Sequence, residues 1–371
     1  LAGRFIGKLR MEDANHLAFD GAVGFRHSFA EITFNANLEK KTADIRTRFQ
    51  IQPGDILGLQ AFIDRKHLEQ AKFRAPLAGK LQARYDEDWV LGKAVFNIRA
   101  EQLEILEVPL ASLQASGTYE PGFLEVPEIS AQLKPGEVTG SFRQNLGTGD
   151  YRFLLEGNLF PSQLNPWFRP WWDSLWGKFQ FTGLPLQANI DVSGRWKDLS
   201  RRDIFGSGEI SSASYKGAPF ERVQGQLRCI PKYTELFDLN AKFPDGHARG
   251  RLAWTLHPEE RSHVTSRRFN LRGKLNLETA GKLFGSKVEK VLADFTVEET
   301  PDVVAEGVLF GKGPFDFLEK PPLNDFTVQS QTGKAAFLSI PLDFLQIDLH
   351  NLGHAITIDP LHYGFADGKA K

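Results

Sequence analysis

"FDLNAKFPDGHARGRLAW", residues 237–254, sets the terms for the whole chain. Phe237, Leu239, Ala241 and Phe243 alternate with Asp238, Asn240 and Lys242. After Pro-Asp-Gly the alternation resumes through Leu252, Trp254 and Leu256. A period of two marks a strand with one face buried. Proline stops such a strand and glycine supplies a positive φ, so the phrase between the two runs is a hairpin connection.

The connection recurs. QPGDILG (52–58), KPGEVTG (134–140), FPDGHARG (243–250) and FADGKAK (365–371) share it. Three hold a Gly-x-x-x-Gly pair, Gly54/Gly58, Gly136/Gly140 and Gly246/Gly250, and a fourth pair would begin at Gly368. Pro109-Leu110, Pro219-Phe220 and Pro341-Leu342 each place a proline 27 positions before the glycine, a slot held by His27 in the first copy. FLLEGNL (153–159) matches FNLRGKL (269–275), and GKAVF (92–96) matches GKAAF (333–337). The first glycines lie 82, 110 and 122 residues apart, so the expected units are unequal and looser than most solenoid repeats. They divide the chain as 1–90 (a partial first unit), 91–200, 201–300 and 301–371 (a partial fourth).

Alternation runs on outside the hairpins. Leu186, Ala188, Ile190 and Val192 oppose Gln187, Asn189, Asp191 and Ser193; Leu77, Leu81 and Tyr85, and Ile129, Ala131 and Leu133, follow the same rule. Three stretches break it and read as helices, one per unit. They are 64–74 with Asp64 as N-cap, 163–176, and 277–292 with Leu277, Ala280, Leu283, Phe284, Val288, Val291 and Leu292 on one face. The middle one, LNPWFRPWWDSLW, puts Trp167, Phe168, Trp171, Trp172 and Trp176 on a single stripe. That stripe is a lid over the sheet end or an element meeting acyl chains or a membrane. Its polar face, with Arg169 and Asp173, lacks the basic excess of an interfacial helix.

Composition narrows the function. The 371 residues carry 45 basic and 46 acidic side chains, a formal charge of −1, which argues against a nucleic-acid surface with its basic stripe. Thirty Phe against six Tyr, with 34 Gly, leans towards strand. Cys229 is alone, so no intrachain disulfide or cysteine metal cluster forms. No apolar run approaches the ~20 residues of a membrane helix, and no signal peptide is present. The chain starts at Leu1 and reads as part of something longer, with targeting segments expected outside it.

Catalytic motifs are missing. There is no Gly-x-Ser-x-Gly elbow, Walker loop or His-Glu-x-x-His. Gly206-Ser207-Gly208 lacks a third glycine; His350 and His354 sit on or beside strands; Asp86-Glu87-Asp88 is an acidic turn tip; Arg201-Arg202 and Arg267-Arg268 read as exposed charge or head-group contacts. Cys229 reads as a core position. No enzyme activity, metal or cofactor is expected. A carbohydrate-active enzyme would need clustered carboxylates beside aromatics, and linear spacing shows none.

An apolar sheet face must meet something. Either two sheets close as a sandwich, the commoner outcome, or one sheet curls into a trough whose lining meets a ligand. Alternation leaves both open. A resemblance shifts the balance. GSGEISSASYKGAPFERVQGQLR followed by a strand and FPDGHARGRLAW combines a Gly-Ala-Pro-Phe turn (Gly217, Pro219, Phe220), a Gly-x-Leu strand (Gly225, Leu227) and an Asp-Gly hairpin (Asp245, Gly246, Gly250). This pattern resembles the C-terminal repeats of AsmA-like, TamB-related envelope proteins of Gram-negative bacteria, over residues 90–371 and more loosely before them. The resemblance implies an all-β chain with minor α, an elongated repeat array forming a curled, antiparallel-rich sheet. It implies bridge-like lipid transfer across the periplasm in outer-membrane biogenesis, through a greasy groove anchored by an N-terminal inner-membrane helix. Implied partners are phospholipid or another acyl lipid, with inner- and outer-membrane proteins. The groove candidates, expected on one face, are Leu186, Ile190, Val192, Phe237, Leu239, Phe243, Leu252 and Trp254. The alternative is a structural or adhesive β-repeat protein with closed sandwich cores.

Overall fold

The computed structural model describes residues 3–56, 70–167, 172–173, 176–257, 264–311, 322–365 and 368–370. The chain is all-β with minor α, and it divides into two compact units. The first holds Leu1–Asp173 with Asn189–Leu199; the second holds Ser174–Ala188 with Ser200–Lys371.

The first unit contains β1 (Gly3–Met11), β2 (His16–Phe25), β3 (Ser28–Asn37), β4 (Thr42–Ile51), β5 (Ala71–Phe73), β6 (Leu77–Asp86), β7 (Val90–Ile105), β8 (Val108–Glu120), β9 (Phe123–Leu133), β10 (Gly136–Asn145) and β11 (Asp150–Leu159). All but β5 pair in chain order as an antiparallel meander of ten strands. In the second unit lie β12 (Phe179–Phe181), β14 (Asp198–Tyr215), β15 (Ala218–Ile230), β16 (Tyr233–Phe243), β17 (Gly246–Leu256), β18 (Val264–Lys274), β20 (Asp302–Phe310), β21 (Asp325–Thr332), β24 (Phe344–Leu352), β25 (Ala355–Phe365) and β26 (Gly368–Ala370). Here β14 to β26 form a second ten-strand meander. Strand β13 (Leu186–Arg195) is shared between the units, and β19 (Phe295–Val297), β22 (Ala335–Phe337) and β23 (Ile340–Leu342) make a small separate sheet.

The repeat has a structural cause, seen three times. A two-residue turn with both φ positive, Leu106-Glu107, Lys216-Gly217 or Leu338-Ser339, leads into Val108-Pro109-Leu110, Ala218-Pro219-Phe220 or Ile340-Pro341-Leu342. Such turns match the right-handed twist of the strands they join. A three-residue strand, β5, β12 or β19, then pairs with the end of the strand entering the turn: Phe73↔Leu103, Phe181↔Ala213 and Val297↔Ala335. At three of four places the glycine phrases also close a strand pair, though at 134–135 and 244–245 without the positive-φ pair of the proline turns. Leu133↔Gly136, Phe243↔Gly246 and Phe365↔Gly368 each enclose two residues.

The first copy departs. Pro53–Ile56 form a 3-10 turn, not a hairpin, and Gly58 lies outside the described residues. The cause is Asp55. Its carboxylate, almost fully buried, accepts from Ser28 Oγ at 2.7 Å and from the His27 amide at 3.2 Å, tying the turn back to the β2–β3 connection. The Ser28 hydrogen bond holds this carboxyl below the ordinary 3.8, against desolvation. Its folded value is depressed, so its contribution is complete above the ordinary value of 3.8 and is lost as pH falls from there through the folded value. The stability gap between the parent and Asp55→Asn is therefore expected to be widest near neutrality and to close in acid. Thermal melts across that range would show it, and a gap independent of pH would contradict it.

The helices also differ from expectation. Residues 277–292 form two helices, α1 (Leu277–Phe284) and α2 (Ser286–Leu292), broken at Gly285 with φ of 100°. Asn276 caps α1 by accepting from the Thr279 amide at 2.7 Å. Ala280 and Leu283 pack inward, whereas Val291 is 61% exposed, so the seven positions do not share one buried face. The 64–74 helix falls largely outside the described residues, but its end, Ala71–Phe73, is strand. Of 163–176, Pro161–Trp167 is 3-10 helix and Trp172, Asp173 and Trp176 are helical.

Each unit seals a small core at one margin of its meander. In the first, Ala100, Leu103, Val108, Leu110 and Leu133 are buried, with Phe73, Leu77 and Leu164 against them. In the second, Ile210, Ala213, Phe220, Phe243 and Leu275 are buried, with Trp176, Phe179, Ala280 and Leu283 against them. The proline turn, short strand and helical segment thus build equivalent plugs.

Candidate functional site

Away from the plugs, register makes one face of each meander apolar. Residues directly opposed across antiparallel strands share a face. Across the first unit one row reads Phe5, Val23, Ala30, Phe49, Gly79, Ile98, Ala115, Ile129, Gly140, Leu155: ten strands without a polar side chain. The reverse face carries Lys8, Asp20, Thr33, Arg46, Gln82, Val95, Thr118. In the second unit a row runs Gly206, Leu227, Leu236, Leu252, Phe269, Gly307, Phe326, Asn351, Ile356.

Most of these residues are half-buried rather than sealed; Gly206 and Asn351 are buried, and Phe5 and Ile356, at the ends of the rows, are exposed. Within each unit, among the described residues, extensive strand–strand contact is confined to hydrogen-bonded neighbours, with a small touch of β23 on β25 besides. No second meander covers the apolar face there. Phe5, Leu9 and Met11 on β1 are 65%, 66% and 66% exposed, well beyond the scatter of single exposed apolar residues.

Glycine is distributed along this face for a packing reason. Phe49 lies across from Gly79 and Phe96 from Gly117, and a Cβ built on either glycine would meet the opposing ring. A ring folds over the bare backbone of its partner, so the abundance of both residues has a single origin.

The reverse face neutralises its charges by cross-strand pairing. Arg152 donates to Asp191 at 2.9 and 2.5 Å, Lys93 to Glu120 at 2.8 Å and Arg222 to Glu209 at 2.6 Å. The Arg152 guanidinium holds the Asp191 carboxyl below its usual range. A shallow depression of about 610 Å³ on this face is lined by Asp20, Glu31, Arg46, Arg48 and Lys80, a mixed set of charges.

The expected groove residues separate three ways. Ile190, 37% exposed, and Val192 oppose Asp191, so they lie on the apolar face of the first unit. Leu239, Leu252 and Trp254 lie on that of the second. Leu186 packs against the second plug and Phe243, 6% exposed, is sealed within it. Phe237 is on the opposite face. A β-bulge inserts an extra residue at Asp238, φ 50°, and turns Phe237 to pair with Gln226, its ring tilted against Phe205 at 6.2 Å.

The aromatic stripe resolves into separate anchors. Trp167 Nε1 donates to the Ile105 carbonyl at 2.8 Å, and Trp172 Nε1 to that of Pro161 at 2.9 Å. Trp176 joins Phe179 at 5.1 Å in the second plug. Phe168 and Trp171 lie outside the described residues. Where described, these rings tie down plugs, as a lid would.

Other singled-out residues have ordinary partners. His350 meets Asp325 at 2.8 Å, and Lys41 meets Asp88 at 2.6 Å. Cys229 sits half-buried on the apolar face and accepts from Thr234 Oγ1 at 3.3 Å. Among the described residues no three His, Cys, Asp or Glu side chains are grouped to hold a metal, and no helix is long and apolar enough to cross a membrane. No family model, curated protein or solved structure matches this chain.

Proposed function

We propose that the apolar face of each meander is the lining of a trough for the acyl chains of a lipid. The chain would act without catalysis, as the lipid-holding or lipid-conducting segment of a bacterial envelope protein. The observation that carries the reading is the ten-strand apolar row of the first unit, half-buried and without a second sheet over it in that unit. Acyl chains would supply the missing contact, worth about 0.8 kcal/mol for each CH₂ buried. Glycines along that face suit it, because glycine kinks are the usual device for curving a sheet. The resemblance to AsmA-like repeats adds the setting: a periplasmic groove, serving phospholipid movement between the inner and outer membranes. A structural or adhesive protein with sandwich cores is less well supported, since neither unit brings a second meander against its apolar face among the described residues.

Native mass spectrometry of the purified chain, followed by lipid extraction, tests the proposal. Co-purifying acyl lipid is the expected result. Ile190→Asp with Trp254→Asp should cut retained lipid about tenfold, the factor that corresponds to 1.4 kcal/mol, while circular dichroism keeps its β signature. A lipid-free parent that also takes up none from vesicles would refute it.

A further inference from the structure

We infer that β1 is a docking edge for a strand of a partner protein, and that the partner strand is apolar on one face and acidic on the other. Among the described residues β1 pairs with β2 alone, so its other side offers unmet backbone N–H and C=O groups. Such an edge is a template for another strand unless something blunts it. β1 runs nine residues without proline, and its register with β2 is unbroken from Gly3↔Phe25 to Met11↔Leu17. Ile6 is 75% exposed on the charged face, and Phe5, Leu9 and Met11 are exposed on the apolar one. The outer edge of the second unit differs. There β25 carries Pro360, which has no N–H to offer, a bulge between Ile347 and Leu349 interrupts its pairing with β24, and β26 covers its end.

Charge is the guard that β1 retains, and that charge selects the partner. The strand carries Arg4, Lys8 and Arg10, all on the charged face, and no acid. Directly across on β2 stand Gly24, Asp20 and Ala18, so one carboxylate faces three cations. A strand added on the open side with Glu or Asp opposite them gains cross-strand pairs, whereas one with Lys or Arg is repelled. The same rule disfavours a second copy as the occupant. Two β1 strands turned antiparallel about Gly7 set Arg4 against Arg10 twice. On the other face Phe5, Leu9 and Met11 favour apolar partners, so the added strand extends the apolar row by one place. Main-chain hydrogen bonds then give affinity and the alternating side chains give specificity, as in other cases of strand addition.

Fluorescence anisotropy of the whole chain with two labelled peptides of β1's length tests this. One peptide alternates valine with glutamate, the other valine with lysine. The glutamate peptide is expected to bind about tenfold more tightly. Arg4→Glu with Arg10→Glu should invert that order, and because both side chains are exposed the fold is retained. Hydrogen exchange should slow at residues 3–11 when the glutamate peptide is bound. N-methylating either the valines or the glutamates of that peptide blocks the N–H groups on one side of the added strand. One of these two isomers should therefore lose binding while the other keeps it. Equal affinity for the glutamate and lysine peptides would overturn the inference, and so would failure of both to bind. Slowed exchange confined to other residues, or two N-methyl isomers that both bind like their parent, would overturn it as well. Sedimentation of the chain alone examines the rival occupant: a dimer whose formation protects residues 3–11 would put a second copy on this edge and overturn the partner reading.

Discussion

Val108→Asp is expected to unfold the first unit. Val108 is fully buried, at 0% exposure, within Ala100, Leu103, Leu110 and Leu133. No cation belongs to that cluster. A carboxylate placed there has neither water nor a partner, so it either forces the plug open or protonates at a large cost. Uncompensated buried charge typically costs about 3–5 kcal/mol, a large share of the ~5–15 kcal/mol that holds an ordinary domain. The damage spreads because the plug is where the 105–108 turn, strand β5 and the 161–167 segment converge on the meander. Ala218, also at 0% exposure, occupies the same place in the second unit, and Ala218→Asp should do there what Val108→Asp does in the first. Urea unfolding followed by tryptophan fluorescence and by far-ultraviolet circular dichroism should show the affected transition at lower denaturant or already complete. A parent-like midpoint for Val108→Asp would mean that stability resides in the strand ladders and that the plugs are accessories.

Why this plug could be seen only in part from the sequence is a question of what local pattern encodes. Leu252 and Trp254 alternate with charged or small residues over a regular run, and they fall on the face that alternation assigns. Phe237 follows the same rule and violates it in space, because a single extra residue at Asp238 reverses every side chain before it. Nothing in the letters Phe-Asp-Leu announces that bulge. The recurrence of Pro-Leu or Pro-Phe 27 residues before a glycine was visible as spacing, but its meaning, a proline turn feeding a sealed core, needs the pairing of β5, β12 and β19 with distant strands. Gly54 shows the converse. Its phrase is nearly that of Gly136, yet the buried Asp55–Ser28 hydrogen bond diverts the chain into a 3-10 turn. Gly285 is a signal that the single-helix reading of 277–292 passed over: a glycine after Phe284 is a common helix stop, and it divides the segment. Arg267 and Arg268 are indistinguishable as neighbours in a string, and only register assigns them to opposite faces.

Gly117→Val puts the packing of the apolar face to a test in which two principles demand opposite signs. Glycine inside a strand is unfavourable and valine is a strong strand former, so intrinsic preference makes the substitution stabilising. Packing makes it destabilising. A Cβ built on Gly117 would lie 2.5 Å from Phe96 Cζ and 2.6 Å from the Glu125 carbonyl oxygen. The ring could swing aside at the expense of its contacts. The carbonyl cannot, because Glu125 belongs to the ladder that pairs β8 with β9. Overpacking of this kind costs about 1–3 kcal/mol when only side chains must yield, and here backbone must yield as well. We expect Gly117→Val to lose at least that much stability in urea denaturation. Gly24→Val supplies the control. It lies on the opposite face, where its Cβ would meet nothing closer than the Arg4 carbonyl oxygen at 3.8 Å, so preference alone decides and the change is neutral or favourable. Phe96→Ala in the Gly117→Val background should recover only part of the loss, because it relieves the ring and leaves the carbonyl. The same geometry recurs at Gly79, 2.6 Å from Phe49 Cζ and 2.7 Å from the Asn97 carbonyl oxygen. If Gly117→Val melts with or above its parent, rings do not need the bare backbone opposite them, and the joint abundance of Phe and Gly in this chain requires a different cause.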